Sequence, residues 1–219
     1  MFLKIKKIPI VSWSSKKPLN FKPRLKTFLF LCLGLIMFGF GSSLLIHAMI
    51  GNSPWVVLAE GLSIRFKWSI GFSTFMCSIL VLSSWFPLGQ KPGLGTIMNI
   101  LIIAGVLDLS MYLFDFSSNI FFINLLTSSL GVIIVGIGSG IYLIANLGPG
   151  PRDGLMTGLQ KVTGYPIAWI RALIEISVVL MGWMLGGTIG IGTFLFAFGI
   201  GPAVAFGLYL INTLSMRID

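Results

Sequence analysis

The stretch Gly-Pro-Gly-Pro-Arg-Asp-Gly, residues 148–154, interrupts a chain of 219 residues that is otherwise mostly apolar. Its glycines and prolines cannot continue an α-helix, so the sequence enforces a break there. Pro151 suits the first turn of a new helix, because it lacks the backbone N–H that would be unpaired at that position. Asp153 falls near the third helical position, where a carboxylate caps free N–H groups and opposes the helix dipole. The motif therefore predicts a sharp turn followed by a helix N-terminus.

Two interpretations of this motif remain open from the sequence. In the first, the N–H groups of the helix N-terminus form an anion-binding site, and Gly150, Arg152 and Asp153 belong to it. In the second, Arg152 and Asp153 form an ion pair with each other and only stabilise a cytoplasmic turn. The shorter version Gly51-Asn-Ser-Pro54 predicts the same turn earlier in the chain, with Ser53 as the N-cap and Pro54 at the first helical position.

The composition indicates an integral membrane protein. Hydrophobic residues make up 56% of the chain and charged residues only 10%, whereas soluble domains carry about 25% charged residues. A membrane helix needs about 20 mostly apolar residues, and strand-like alternation typical of a membrane β-barrel is missing from the sequence. We therefore predict an all-α, polytopic membrane protein. Six stretches qualify as spans: 27–50, 69–86, 95–113, 121–146, 166–186 and 192–214.

The membrane part of the sequence contains an internal repeat. Residues 25–121 align without a gap with residues 122–218, and 25 of the 97 positions are identical, eight of them glycines. We predict one membrane repeat over 25–121 and a second over 122–219. With three spans each, an odd number, the two repeats would be inverted relative to one another, as in many transporters and channels.

The span count depends on two short apolar segments, 54–66 and 151–163. Thirteen helical residues rise about 20 Å, too little for a hydrocarbon core of about 30 Å. We predict re-entrant or interfacial helices at both places. If they were full spans instead, each repeat would hold four spans and the two repeats would be parallel.

The basic residues are concentrated at the N-terminus. Eight of the fifteen lie in the first 26 positions, and no acidic residue precedes Glu60. Residues 1–24 are predicted to be a basic cytoplasmic tail near anionic lipid headgroups, which attract it by about 1 kcal/mol per charge. The net charge of +9 is therefore no sign of nucleic-acid binding. Alternating six spans from this tail places twelve basic residues inside and two outside, which predicts that both termini are cytoplasmic.

Three charged residues, counting His as neutral, fall inside predicted spans, where charges are costly and usually face the bundle interior or water. Arg171 and Glu175 are four residues apart, hence on one helix face, and either neutralise each other or form a substrate or proton site. Asp108 has no evident partner in the sequence and is the candidate for a proton- or cation-coupled carboxylate. Weaker pore-lining candidates are Asn99, Asn146 and His47.

Nothing in the sequence supports catalysis or a cofactor. Cys32 and Cys77 lie within spans without metal-ligand spacing, so we interpret them as small buried residues. Nucleotide-binding loops, zinc-protease motifs and nucleophile elbows are missing from the sequence. We expect a protein that is not an enzyme, with no metal and no cofactor.

Three segments resemble a known family: LGPGPRDGLMTGL (147–159), IRALIE (170–175) and GWMLGGTIGIGT (182–193). They are similar to the YczE/YyaS/YitT-type bacterial integral membrane proteins, in particular the YczE-like branch, over nearly the whole membrane part. The resemblance implies a multi-pass protein of the bacterial cytoplasmic (inner) membrane and assigns no biochemical activity. The motif residues it marks here are Gly148, Pro149, Gly150, Pro151, Arg152, Asp153, Gly154, Arg171, Glu175, Gly190, Gly192 and Thr193.

Two functions fit these features. The first is a small secondary transporter or channel, in which Arg152 and neighbouring N–H groups bind a small anionic solute. The second is a non-transporting scaffold or accessory factor for another enzyme or complex, consistent with the basic tail and the missing catalytic set. An intramembrane enzyme comes third. The lipid-facing glycines and aromatic residues would also suit a homodimer.

Overall fold

The computed structural model describes residues 8–218 of the chain, and the side chains of residues 8–215. Within the described residues all regular structure is helical, so the predicted all-α class is confirmed. Residues 1–7 of the predicted basic tail lie outside the described residues. The helices are α1 (Leu25–His47), α2 (Pro54–Phe66), α3 (Ile70–Ser83), α4 (Leu94–Leu113), α5 (Phe121–Ala145), α6 (Pro151–Thr163), α7 (Ile167–Met184) and α8 (Ile191–Ile218).

Five of these helices, α1, α4, α5, α7 and α8, are long and apolar enough to cross a membrane. The predicted second span over 69–86 is shorter than expected, because α3 has only 14 residues and rises about 21 Å. It ends at Ser83 and a series of turns follows as far as Gly89. α2 and α3 meet at a bend of 114° and together form a broken span or a re-entrant loop. The described residues therefore contain five candidate spans, or six if this bent pair counts as one.

The centre of the bundle is a close crossing of α1 and α5. A Cβ built on Gly34 would lie 2.7 Å from the carbonyl oxygen of Gly138, and one built on Gly41 would lie 2.8 Å from that of Gly131. Small residues let membrane helices pack backbone against backbone in this way. Residue numbers in contact increase along α1, from 34 to 41, while those of their partners decrease along α5, from 138 to 131. The two helices are therefore antiparallel.

Helix starts in the two halves of the chain are separated by a constant offset. Three helices of the first half start 97 residues before their counterparts in the second half, which is also the offset of the sequence alignment. We call residues separated by this offset equivalent positions. The equivalent helix starts are Pro54 and Pro151, Ile70 and Ile167, and Leu94 and Ile191.

Two backbone hydrogen bonds join the halves at equivalent positions. The N–H of Gly95, at the start of α4, donates to the carbonyl of Leu147 over 2.7 Å. The N–H of Gly192, at the start of α8, donates to the carbonyl of Ile50 over 2.8 Å. Each bond ties the loop before a short helix in one half to the first turn of a span in the other.

The described part of the N-terminal tail folds back onto the bundle. Trp13 is 5% exposed, and its ring stacks on Phe30 of α1 at a centroid distance of 4.4 Å. The indole N–H donates to the hydroxyl of Ser215 in α8 over 3.2 Å. The N–H of Ser15 donates to the carbonyl of Ala145 at the end of α5. Residues 8–24 are therefore a folded cap on one end of the bundle rather than a free solvated tail.

Candidate functional site

The Gly-Pro-Gly-Pro turn is held by hydrogen bonds to its main chain. Gly148 has a φ of +114°, a conformation that favours glycine. The hydroxyl of Thr96, in the first turn of α4, donates to the carbonyl of Pro149 over 2.7 Å. The indole N–H of Trp85, which follows α3, donates to the carbonyl of Pro151 over 2.9 Å. The turn is thus fixed by groups from the first half of the chain, and α6 begins at Pro151 as predicted.

Trp85 also explains the last glycine of the motif. Its side chain is 2% exposed, and a Cβ built on Gly154 would collide with the six-membered part of the indole ring. Only glycine leaves room for this ring against the first turn of α6. Trp85 and Gly154 together set the position of the α6 N-terminus.

A cavity of about 200 Å³ lies beside the crossing of α1 and α5 and is lined by every helix except α3. The N-termini of both short helices, α2 and α6, face it. Its walls include four pairs of equivalent positions, one member from each half of the chain. These pairs are Pro54 and Pro151, Trp55 and Arg152, Asn99 and Phe196, and Ile103 and Ile200.

Arg152 and its equivalent residue meet inside the cavity. The guanidinium carbon of Arg152 lies 4.9 Å from the ring centroid of Trp55, in a cation–π arrangement. Among the residues with described side chains, no carboxylate lies within ion-pair distance of Arg152. The alternative in which Arg152 and Asp153 pair to staple a turn is therefore not what the structure shows.

Asp153 is held by a tyrosine. The hydroxyl of Tyr142, in α5, donates to Oδ2 of Asp153 over 2.6 Å, and both residues line the cavity. Gly150, the N-cap of α6, lies beside this carboxylate and beside the amide of Asn99. Among the described residues, no side chain caps the α6 N-terminus. The carboxylate of Asp153 binds Tyr142 and does not form the cap that the sequence predicted.

Arg171 and Glu175 form an ion pair on α7. The Nε of Arg171 lies 2.9 Å from Oε1 of Glu175, in agreement with their predicted shared face. Both side chains line the cavity, and they are 51% and 26% exposed. The structure therefore brings together five of the six residues that the sequence proposes for a binding site: Gly150, Arg152, Asp153, Arg171 and Glu175.

The sixth residue, Asp108, lies elsewhere. Its Oδ2 accepts a hydrogen bond from the Ser69 hydroxyl at 2.5 Å, and its Oδ1 accepts one from the Gly71 N–H at 2.7 Å. The carboxylate of Asp108, in α4, thus accepts an N–H of the first turn of α3, as a helix cap does. It also links the two helices. It does not line the cavity, and its partners lie at the start of another helix, 37 and 39 residues earlier in the chain.

The remaining motif residues position the turns. Ser53 and Pro54 start α2 as predicted, but the Ser53 side chain makes no capping hydrogen bond. A Cβ on Gly190 or on Gly192 would collide with the backbone of residues 50–51. The hydroxyl of Thr193 accepts from the Gly190 N–H over 3.3 Å. These residues support the fold at the other end of the bundle.

The three weaker pore-lining candidates, Asn99, Asn146 and His47, lie in different places in the structure. Asn99 lines the cavity. Asn146 ends α5 with a φ of +52°, and its side-chain amide donates to the carbonyl of Ser15. His47 bonds through Nδ1 to the carbonyl of Ser43 one turn earlier in α1. Only Asn99 therefore belongs to the candidate site.

Sequence reasoning missed Glu60. Its Oε2 accepts from the Asn52 amide at 2.9 Å and from the Thr188 N–H at 2.8 Å, while Oε1 accepts from the Thr188 hydroxyl at 2.8 Å. The carboxylate thereby links α2 to the turn that precedes it and to the loop before α8. The one signal in the sequence was its rarity, since it is the first acidic residue of the chain.

Comparisons with known proteins identify relatives over most of the chain. Residues 25–208 match the model of a family of unknown function (DUF6198). A protein of Haemophilus influenzae named as uncharacterized is 36% identical over 211 residues, which cover 96% of this chain and 95% of that protein. The uncharacterized membrane protein YczE of Bacillus subtilis is 33% identical over 178 residues, covering 80% and 82%. YyaS of the same organism is 26% identical over 167 residues, covering 74% and 83%. No solved structure matches the chain.

Proposed function

We propose that this chain, a membrane protein that belongs to the DUF6198 family, is a small secondary transporter or channel for a small anionic solute. One observation carries the proposal: the walls of the cavity beside the central helix crossing include four pairs of equivalent positions, one member of each pair from each half of the chain. Secondary transporters commonly bind their solutes at the interface of such repeats, where discontinuous helices end.

The contacts between the halves support an inverted relation. Gly34 packs on Gly138, and the equivalent pair Gly131 and Gly41 also pack together. Helices α1 and α5 occupy equivalent positions and are antiparallel. A two-fold axis that relates antiparallel spans lies in the membrane plane, whereas an axis along the membrane normal would leave them parallel. The two halves therefore act as inverted repeats in this proposal, each with a short helix packed against a span of the other.

The charges in the cavity support an anionic solute. Ionisable groups at membrane depth are costly and mark functional pathways by default. Four charged side chains line the cavity: Arg171 is paired with Glu175, and Asp153 accepts a hydrogen bond from the hydroxyl of Tyr142. Among the described side chains, Arg152 has the Trp55 ring at its face and no ion-pair partner. The guanidinium edge and the first N–H groups of α6 are then the groups available to an anion.

The inverted relation predicts the side from which two equivalent turn positions can be labelled. In a background with Cys32→Ala and Cys77→Ala, we would introduce Pro92→Cys and Ile189→Cys singly; both positions are exposed. A membrane-impermeant maleimide should label Ile189→Cys in intact cells, and Pro92→Cys only after permeabilisation. That result would place both termini in the cytoplasm. Labelling of both from one side would mean parallel halves and would contradict the inverted arrangement.

Transport itself is tested with the purified full chain in liposomes. We expect uptake of at least one member of a panel of small anions, such as chloride, nitrate, phosphate, acetate and succinate, well above that of empty liposomes. Liposomes with heat-inactivated protein control for leakage. If no anion of the panel enters faster than in this control, the transport proposal fails.

The accessory role is favoured by a different observation. Much of the outer face of α7 is uncovered, with Trp169 73%, Leu173 69% and Ile176 60% exposed. Such a face would suit a helix of a partner protein or a second copy of this chain. A protein with this role would be silent in the liposome assay and would copurify with a membrane partner or as a dimer.

A further inference from the structure

The folded N-terminal cap contains a groove of about 690 Å³ at the end of the bundle where α1 begins. Four cationic side chains line it, and the hydroxyl groups of four further residues complete its polar wall. The cations are Lys16, Lys17, Lys22 and Arg24, and the hydroxyl residues are Ser12, Ser14, Ser15 and Thr27.

Hydrogen bonds within the cap fix the shape of this groove. The Ser15 hydroxyl donates to the carbonyl of Lys17 over 2.8 Å and accepts from the side-chain amide of Asn20 at 3.3 Å. The N–H of Lys22 in turn donates to Oδ1 of Asn20 over 3.0 Å. The anchor beneath is Trp13, whose carbonyl accepts a hydrogen bond from Thr27. The cations are therefore carried on an ordered loop.

The charge of the groove is uncompensated. No acidic residue precedes Glu60 in the sequence, and among residues 8–215 no carboxylate lies within ion-pair distance of these four cations. The first turn of α1 adds N–H groups that no described side chain caps, and helix N-termini attract anions. A phosphate is the chemical group that matches several converging cations and N–H donors.

The surroundings of the groove indicate where that phosphate comes from. Large apolar side chains beside the cations are exposed: Ile10 83%, Leu19 46%, Phe21 57% and Leu25 72%. They stand at the start of α1, a candidate membrane span, and headgroups meet acyl chains near the ends of such spans. We propose that the groove binds the phosphate of an anionic phospholipid of the adjacent leaflet, with its acyl chains against these apolar side chains. This site is independent of whether the cavity transports a solute.

The test uses the full chain in phosphatidylcholine vesicles that contain a trace of spin-labelled lipid. Electron paramagnetic resonance measures the motionally restricted fraction of labelled phosphatidylglycerol and of labelled phosphatidylcholine. We expect the wild type to prefer phosphatidylglycerol at least about fivefold, and the triple variant Lys16→Gln, Lys17→Gln, Lys22→Gln to lose that preference. Trp13→Ala should lose it as well, because the loop is no longer anchored although every charge remains.

The matched control removes three exposed lysines outside the groove: Lys67→Gln, Lys91→Gln and Lys161→Gln. It should keep the preference for phosphatidylglycerol. An equal loss in this control, or full preference in Trp13→Ala, would show general charge attraction and overturn the site. Displacement of the labelled lipid by millimolar inorganic phosphate would overturn the assignment to a lipid.

Discussion

Replacing Gly154 with alanine is expected to lower the free energy of unfolding by about 1–3 kcal/mol, the usual cost of overpacking a filled core. The new methyl group would collide with the six-membered part of the Trp85 indole. That ring cannot retreat freely, because it is buried and its N–H is bonded to the carbonyl of Pro151. The measurement is an SDS titration of the purified variant in detergent micelles, followed by its tryptophan fluorescence.

A matched control separates this collision from the general effect of a glycine substitution in a helix. Gly105, inside α4, has open space where a Cβ would be built, so Gly105→Ala should stabilise the protein by roughly 0.5–1 kcal/mol. The double variant of Gly154→Ala with Trp85→Leu should cost less than the sum of the two single variants, because the smaller side chain leaves room. Equal stability of Gly154→Ala and Gly105→Ala would contradict the tight Trp85 contact.

Local signals were enough to predict the short helices. The bounds predicted for α2 and α6, 54–66 and 151–163, are those observed. Their starts were predictable because proline at the first position and a glycine-containing turn before it act within a few residues. The bound of α3 was predicted less well. The predicted span includes Trp85 and Phe86, which follow two serines. The indole of Trp85 turns back to α6, and hydrophobicity does not show that difference.

Contacts between distant parts of the chain were harder to predict. The sequence alignment makes Trp55 and Arg152 equivalent, yet nothing in it shows that the two side chains meet. The partners of Asp108, Ser69 and Gly71, belong to another helix start, so a search for partners within the same span could not find them. The pair on α7 was predictable because its partners are four residues apart.

Arg152→Ala is the substitution with the largest expected effect on transport. We expect at least about a tenfold slower anion flux, because hydrogen bonds to a charged group contribute about 1.5–3 kcal/mol. Arg152→Lys should recover only part of the flux, since an ammonium group keeps the charge but not the planar face over Trp55 or the paired donors. Both variants are measured in liposomes beside the wild type, with the anion that the wild type transports fastest.

Two controls decide what a slower flux means. Arg65→Gln removes an exposed cation in the last turn of α2 and should leave flux unchanged, because this residue does not line the cavity. The free energy of unfolding of Arg152→Ala should stay close to that of the wild type, since Arg152 has no ion-pair partner among the described side chains to leave unpaired. A variant that unfolds early would have lost its structure rather than its binding group. Wild-type flux in a stable Arg152→Ala protein would remove Arg152 from the site, and the anion would then have only the α6 N-terminus.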